Sequence, residues 1–207
     1  GSLRRFRPGQ WLDDAGIHAC TSMLVKLDLS ISQPFMAARK RSYCFRPQFY
    51  TKLLQIGADP LPNQPRPNTY CFRAVRQWAT SINIFALRHL FFPVNVNRMH
   101  WVLVAVHFPT QTISFYDSMG TAGQAYLGHI FHYLQDLHRA WNDGAPLPDE
   151  DRWHLIPHTP GTPQQPNSFD CGVYICAFID LLLQELPLRF TPGDITIYRR
   201  RLACFIL

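Results

Sequence analysis

Cys171 is the side chain in this sequence whose neighbours best suit nucleophilic chemistry. It lies between Asp170 and Gly172, at the start of an almost wholly apolar segment that predicts a buried helix. The free N–H groups and the dipole of a helix N-terminus stabilise a thiolate, and a glycine lets a substrate carbonyl approach the backbone. A lone cysteine at a helix start is more commonly a buried thiol, so Cys171 needs partners elsewhere before it indicates catalysis.

A histidine and an aspartate frame a predicted β-hairpin. The apolar run 100–108 predicts a strand buried on both faces, 112–116 predicts a second strand, and 108–111 is a short connection. Antiparallel pairing then places Asp117 within one or two residue pairs of His100, because neighbouring strands lie about 4.8 Å apart. Such a carboxylate fixes the imidazole tautomer and stabilises the imidazolium, although a strand-end pair of this kind is also common in structural roles.

The segment just before Cys171 is rich in amide side chains. It reads Pro-Gln-Gln-Pro-Asn over residues 163–167, and one of these amides could donate to an oxyanion that develops during attack on a carbonyl. A thiol, an imidazole–carboxylate pair and an amide donor together favour acyl transfer through a covalent intermediate.

The elements that must position these residues indicate an α+β fold, with helices packed against a small antiparallel sheet. The first helix is predicted over 11–27, with Asp13 or Asp14 as its N-cap. Three further helices are predicted over 69–82, 122–141 and 171–186. Proline-rich stretches predict loops over 59–68, 145–149 and 157–166.

Length and composition predict one folded domain. The chain has 207 residues, of which 47% are hydrophobic and 16% charged, so wholesale disorder is excluded. The sequence has no run of about 18 apolar residues, and its charged first seven residues lack the apolar stretch of a secretory signal. Gly1-Ser2 resembles the remnant of a cleaved tag, so we expect an excised fragment. Residues 1–10 are assigned as that remnant and a basic lead-in, and residues 11–207 as the domain.

The remaining cysteines, histidines and basic residues favour plain structural roles. None of the six cysteines is spaced Cys-x-x-Cys, and six are too few for a disulfide scaffold, which favours reduced thiols in an intracellular protein. The pairs His129/His132 and His154/His158 have only weak metal-like spacing. The net charge is +6, but the basic clusters are short, which favours a solvated surface over a nucleic-acid site.

Several motifs together resemble the SUMO-specific, or sentrin-specific, cysteine proteases. Residues 165–172 match that family's Gln-x-Asn-x-x-Asp-Cys-Gly signature, and 93–95, 100–101 and 116–118 are similar to its Pro-x-Asn, His-Trp and Tyr-Asp-Ser motifs. Residues 11–14 resemble its Trp-Leu-Asn-Asp motif, with Asp13 in place of asparagine. The resemblance runs from about residue 11 to the C-terminus, except for about 29–46 and 59–68.

The resemblance implies a role for each matching residue. Cys171 would be the nucleophile, His100 the general base and then acid, and Asp117 the orienting carboxylate. Gln165 would stabilise the oxyanion together with the backbone N–H of Cys171. Trp11 and Trp101 would wall a narrow tunnel, in which two flat indoles accept a Gly-Gly tail and exclude bulkier residues. Asp14 would pair with a basic group on the modifier, a role compatible with capping a helix.

The resemblance also implies the wider properties of the protein. The fold would be a variant of the papain-like cysteine protease fold, with a small mixed or antiparallel sheet between helices. The reaction would release SUMO from precursors or from substrate lysines, without a metal or other cofactor. The partners would be SUMO, or another ubiquitin-like modifier, and its conjugates, and a monomer is expected, with no obligatory nucleic acid and no membrane span. Nuclear or nucleocytoplasmic residence follows from the family, or a host cell for a pathogen effector.

Three alternatives remain open at the level of sequence. The same chemistry could act on ubiquitin or another ubiquitin-like modifier, because the triad does not report which modifier body is gripped. Related bacterial effectors with a His–acid–Cys core transfer acetyl groups to proteins, although Trp101 and Gln165 suit a diglycine tail better. A non-catalytic modifier-binding module is the third alternative, and the intact Cys171, His100 and Asp117 argue against it.

Overall fold

A five-stranded mixed sheet runs through the middle of the molecule in the order β1-β2-β3-β4-β5. The computed structural model describes residues 2–32, 41–57 and 69–206. The strands are Tyr43–Cys44 (β1), His89–Val96 (β2), His100–His107 (β3), Thr112–Tyr116 (β4) and His154–Ile156 (β5). The three central strands pair antiparallel, whereas β1 on β2 and β5 on β4 pair parallel. The hairpin predicted from the sequence is therefore confirmed, inside a larger sheet.

Helices cover both faces of the sheet. They are Asp14–Ser32 (α1), Gln48–Leu53 (α2), Gln124–Trp141 (α3), Cys171–Leu183 (α4) and Pro192–Ile206 (α5). Successive side chains of a strand point to opposite faces. Accordingly, Val102 and Val104 pack into the core on the side of α3, and Leu103 and Ala105 pack into the core shared with α1 and α4. Burial on both faces explains the continuous apolar sequence of β3.

The ends of three predicted helices shift for local reasons. In α1 the backbone N–H of Gly16 donates to Asp13 Oδ1 at 2.8 Å, so Asp13 is the N-cap and the helix starts at Asp14. Helix α3 starts after Gly123, where a Cβ atom would lie 2.1 Å from the ring of Phe115. Helix α4 ends at Leu183, because Glu185 takes a left-handed backbone conformation with φ 57°.

The predicted helix over 69–82 is wrong. The chain there forms two short 3₁₀ helices, Phe72–Ala74 and Arg76–Ala79. Only Val75 and Ala79 are buried in this stretch. Two buried residues offer too small an apolar face to stabilise a long helix. Of the predicted loops, 145–149 and 157–166 form no helix or strand, while 59–68 lies outside the described residues.

Strand β2 was not predicted, because Pro93 interrupts its apolar run. A proline cannot donate to a sheet and argues against a central strand. In the structure Pro93 lies opposite Leu103 of β3, while β1 pairs only with Leu90 and Phe91 on the other edge of β2. No strand covers that edge at Pro93 in the described residues, so its missing N–H is tolerated.

Candidate active site

His100 and Asp117 meet at the end of the β3–β4 hairpin. His100 is the first residue of β3 and Asp117 directly follows β4. The register pairs Leu103 with Tyr116, and this brings His100 Nε2 to 2.6 Å from Asp117 Oδ1. The contact expected from the hairpin is therefore present. Because Nε2 faces the carboxylate, Nδ1 is the ring nitrogen that remains available to a second partner.

The turn after β4 keeps the Asp117 carboxylate ionised. Its oxygens accept hydrogen bonds from the N–H of Met119 at 2.8 Å, the N–H of Thr121 at 3.0 Å and the Thr121 hydroxyl. Burial alone would raise the pKa of Asp117, but the bonds from His100, Thr121 and Met119 outweigh it and lower that pKa to about 2. Sequence reasoning missed Thr121; its position four residues after Asp117 in a tight turn was the available signal.

Cys171 completes the arrangement from the opposite side of His100. It is the first residue of α4 and only 2% exposed, with its thiol in hydrogen-bonding contact with His100. Burial would lower the pKa of His100, but the hydrogen bonds to Asp117 and Cys171 outweigh it and raise that pKa to about 9. His100 is therefore an imidazolium at neutral pH, next to the sulfur of a residue at a helix N-terminus.

Gly172 is required by packing at the start of α4. A Cβ atom there would lie 3.0 Å from Leu12 Cβ, 3.1 Å from Ile17 Cδ1 and 3.2 Å from Trp101 Cδ1. The sequence analysis assigned this glycine to close approach of a substrate. The structure shows that the space beside it is filled by the chain's own side chains.

Gln165 lies in the loop before α4 with its side chain held at both ends. Its Oε1 accepts a hydrogen bond from the Ser118 hydroxyl at 2.6 Å, and its Nε2 donates to the Asn167 carbonyl at 2.5 Å. An amide nitrogen carries two hydrogens, so one remains after the bond to Asn167. The neighbouring Gln164 Nε2 donates instead to the carbonyls of Asp117 and Thr162, at 3.1 Å and 2.9 Å.

Asp170, the residue before Cys171, is anchored by an ion pair that sequence reasoning missed. Arg199 of α5 donates to Asp170 Oδ1 from Nε at 3.1 Å and from a terminal nitrogen at 2.7 Å, and it is 3% exposed. It also donates to the backbone carbonyls of Arg5, Arg7 and Phe169. Arg199 belongs to a cluster of three arginines, and nothing in that cluster indicates which member is buried.

The two tryptophans expected to wall a tunnel differ in exposure. Trp101 is 3% exposed and its indole N–H donates to the Leu12 carbonyl at 2.8 Å, whereas Trp11 is 39% exposed. Both line one surface cavity of about 210 Å³, together with Asp14 and Met99. Asp14 accepts a hydrogen bond from Gln48 at 2.9 Å. The structure thus places all three residues at one cavity, with Trp101 as its buried floor.

No group of three or more His, Cys, Asp or Glu side chains in the described residues is arranged to hold a metal ion. The two weakly spaced histidine pairs are not such a group. His129 Nδ1 instead lies 2.8 Å from the Tyr50 hydroxyl.

Comparison with known proteins identifies the family. The family model described as the Ulp1 protease family, C-terminal catalytic domain, matches residues 10–206. The chain belongs to the Ulp1 protease family. The resemblance seen in the sequence motifs is thereby confirmed.

Relatives of this Ulp1-family chain are similar along its whole length. Human sentrin-specific protease 2 is 25% identical over 208 residues, which cover 100% of this chain and 31% of that protein. Ubiquitin-like-specific protease 1 of Saccharomyces cerevisiae is 29% identical over 207 residues, covering 99% of this chain and 28% of that protein. The chain therefore spans less than a third of the length of these two curated relatives.

The fold of this Ulp1-family chain matches a solved protease domain. The C-terminal Ulp1 protease domain in complex with Smt3, the yeast ortholog of SUMO, superposes with a TM-score of 0.74. The two are 26% identical over 99% of this chain and 80% of that one. The α+β fold expected for a protease of this family is therefore confirmed. Among the helices of the described residues, none has the length and apolar character needed to cross a membrane.

Proposed function

We propose that this chain is a cysteine protease and isopeptidase that cleaves after the C-terminal Gly-Gly of SUMO. The observation that carries the proposal is that His100 contacts both Asp117 and Cys171, the first residue of α4. This arrangement of carboxylate, imidazole and thiol is the one that activates a sulfur nucleophile for acyl transfer. The relatives are named as sentrin-specific and ubiquitin-like-specific proteases, which supports SUMO as the substrate.

The first step forms a thioester. Nδ1 of His100 holds the proton taken from Cys171, and the sulfur anion attacks the carbonyl carbon of the terminal glycine. The negative charge moves to the carbonyl oxygen, where the Cys171 backbone N–H and the remaining Gln165 amide hydrogen donate to it. The first N–H groups of a helix have no acceptor within the helix, so the Cys171 N–H is available. The tetrahedral intermediate then collapses, and His100 transfers its proton to the leaving lysine amine or propeptide amine.

The second step releases the modifier. His100, now neutral, takes a proton from a water molecule that attacks the thioester carbonyl, and Asp117 stabilises the imidazolium that forms again. Collapse of the second tetrahedral intermediate breaks the carbon–sulfur bond, returns the sulfur as an anion and frees the glycine carboxyl group, which releases its proton to solvent. The sulfur and His100 return to their starting states. No redox step or metal-bound water is required by this scheme.

The cavity lined by Trp11 and Trp101 suits a substrate tail without side chains. Trp101 packs beside Gly172, one residue from the nucleophile, and it lines this cavity together with Trp11. A Gly-Gly segment can pass where indole rings leave no room for a Cβ atom. Asp14 lies at this cavity and carries the negative charge that we assign to a basic group on the modifier body.

A panel of modifiers with electrophilic C-termini tests the proposal directly. SUMO, ubiquitin and other ubiquitin-like probes are incubated with the chain, and adducts on Cys171 are located by mass spectrometry. We expect an adduct with the SUMO probe and none with Cys171→Ser, while Cys204→Ser, which alters an exposed cysteine, reacts as the unmodified chain does. Reaction with the ubiquitin probe alone, or with none of them while SUMO precursors stay uncleaved, would overturn the assignment.

Cellular location and assembly complete the proposal. We place the protein in the nucleus, or in both nucleus and cytoplasm, because its family acts on SUMO conjugates. We expect it to act there as a monomer. Fluorescence of the tagged full-length protein tests the location, and light scattering of the purified chain tests the monomer. A stable dimer, or exclusion from the nucleus, would contradict these parts without affecting the proposed chemistry.

A further inference from the structure

Ser118 is a fully buried serine that the scheme above does not use. It follows Asp117 in the turn after β4, and its side chain is 0% exposed. Its hydroxyl donates to Gln165 Oε1 at 2.6 Å, and its own carbonyl accepts from the Gln165 backbone N–H at 2.8 Å. A buried hydroxyl that donates its single hydrogen to one side chain 47 residues away indicates that this hydrogen bond has a specific role.

The hydrogen bonds fix which way round the Gln165 amide lies. The carbonyl of Asn167 can only accept, so the amide group 2.5 Å from it must be the nitrogen. The oxygen end of Gln165 then faces Ser118, whose hydroxyl is obliged to donate. Without Ser118, the carbonyl oxygen of Gln165 would be left without its donor inside the protein, and the amide would rotate to find another.

We propose that Ser118 is a positioning residue that holds the Gln165 amide with its second hydrogen directed at the oxyanion. The inference rests on the proposed function, in which Gln165 donates to that oxyanion. It adds to the proposal that one turn positions two catalytic groups. Asp117 orients His100, and the next residue orients the oxyanion donor. The Gln164 amide strengthens the link by donating to the Asp117 carbonyl at 3.1 Å.

The proposal predicts an effect on turnover rather than on substrate binding. The oxyanion exists only in the transition state and the intermediate, so a misdirected amide lowers kcat and leaves KM nearly unchanged. Removing one donor of an oxyanion hole typically lowers kcat about 10²-fold to 10³-fold. Loss of Ser118 leaves the amide present and bonded to Asn167 but without the donor that holds its oxygen, so we expect a smaller loss of about tenfold.

A double-mutant cycle on cleavage of a SUMO precursor separates positioning from a general structural role. We expect Ser118→Ala to lower kcat about tenfold, Gln165→Ala about 100-fold, and the double variant no further than Gln165→Ala alone. Ser114→Ala, which removes a buried hydroxyl elsewhere in the same hairpin, should turn over as the unmodified chain does. Multiplicative losses in the double variant, or unchanged turnover in Ser118→Ala, would overturn the proposal.

Two further measurements keep the proposal testable if Ser118→Ala folds poorly or the substrate is wrong. Ser118→Cys keeps a side chain of similar shape but offers only a weak donor, and wild-type turnover by this variant would count against Ser118.

The NMR signals of the ¹⁵N-labelled side-chain amide of Gln165, assigned from their loss in Gln165→Ala, can be measured without a substrate. We expect two sharp, well-separated protons that broaden or merge in Ser118→Ala, and identical spectra would reject the positioning role. A chain that cleaves no modifier but shows this change would refute the proposed function alone.

Discussion

At the residue scale, the decisive feature is how strongly His100 holds its proton. Its pKa of about 9 results from two hydrogen-bonding partners, Asp117 and Cys171, that outweigh burial. Hydrogen bonds from His100, Thr121 and Met119 outweigh burial at Asp117 and lower its pKa to about 2. The two groups therefore stay charged together across the whole neutral range, which suits a site that must give a proton to an amine.

The charged pair of His100 and Asp117 predicts that activity falls at alkaline pH. Because the pKa of His100 is raised, its imidazolium persists until the pH rises through about 9, and kcat/KM for an amide-linked SUMO substrate should fall above that value. Asp117→Asn removes the charge that stabilises the imidazolium. We expect this variant to lower kcat about 10³-fold to 10⁴-fold and to move the limb to lower pH.

The measurement is a pH–rate profile of both proteins between pH 5 and 10, with circular dichroism to confirm that the variant folds. An alkaline limb that stays near the same pH in Asp117→Asn would show that another group controls the proton on His100. Unchanged kcat would remove Asp117 from the site.

At the element scale, the position of Cys171 depends on how closely α4 approaches its neighbours. The first turn of α4 packs against α1 and β3 through Gly172, whose missing side chain is replaced by Leu12, Ile17 and Trp101. This contact sets the depth of Cys171 relative to His100, so the helix and the hairpin must fit to within a few tenths of an ångström.

Alanine substitutions at two glycines test this fit. Gly172→Ala would place a Cβ atom 3.0 Å from Leu12 Cβ, and we expect overpacking to lower the free energy of unfolding by about 1–3 kcal/mol. Gly128→Ala in α3 meets no atom within 4 Å and should raise it by about 0.5–1 kcal/mol. Urea denaturation measures both, and equal effects of the two substitutions would contradict the close packing.

The elements that sequence predicted well are those whose partners are adjacent along the chain. The hairpin placed Asp117 near His100 because its strands follow one another, and the apolar segment after Cys171 marked the start of α4. Strand β2 was missed because Pro93 is tolerated where β1 stops short of it, so that no strand of the described residues covers that edge of β2 at Pro93, and local sequence does not encode this. The helix predicted over 69–82 failed because tertiary packing leaves that stretch only two buried residues.

At the scale of the whole molecule, one buried ion pair joins the two ends of the chain to the site. Arg199 comes from α5, Asp170 directly precedes Cys171, and the carbonyls of Arg5 and Arg7 belong to the N-terminal segment. Sequence analysis assigned Asp170 only as part of a motif, since its partner lies 29 residues away. Contacts of this kind form from the complete fold and were not predictable from local spacing.

Removing the buried guanidinium tests this connection. Arg199→Met leaves the Asp170 carboxylate, itself only 13% exposed in its side chain, without its cation. Breaking such a pair typically costs about 3–5 kcal/mol of folding free energy. Arg200→Met changes an exposed neighbour on the same helix and should cost less than about 0.5 kcal/mol. Chemical denaturation compares the two variants, and similar midpoints would show that the pair contributes little.

Two of the three carbonyls that accept from Arg199, those of Arg5 and Arg7, lie before residue 10, in the segment that the sequence assigned to a lead-in. Phe6 of that segment is buried in the same core as Cys171. Anyone shortening this chain for crystallisation would therefore do well to keep those first residues. A chain that starts at Trp11 would expose the apolar surface that Phe6 covers. It would also leave the Arg199 guanidinium without two of its carbonyl acceptors, next to the residue that precedes Cys171.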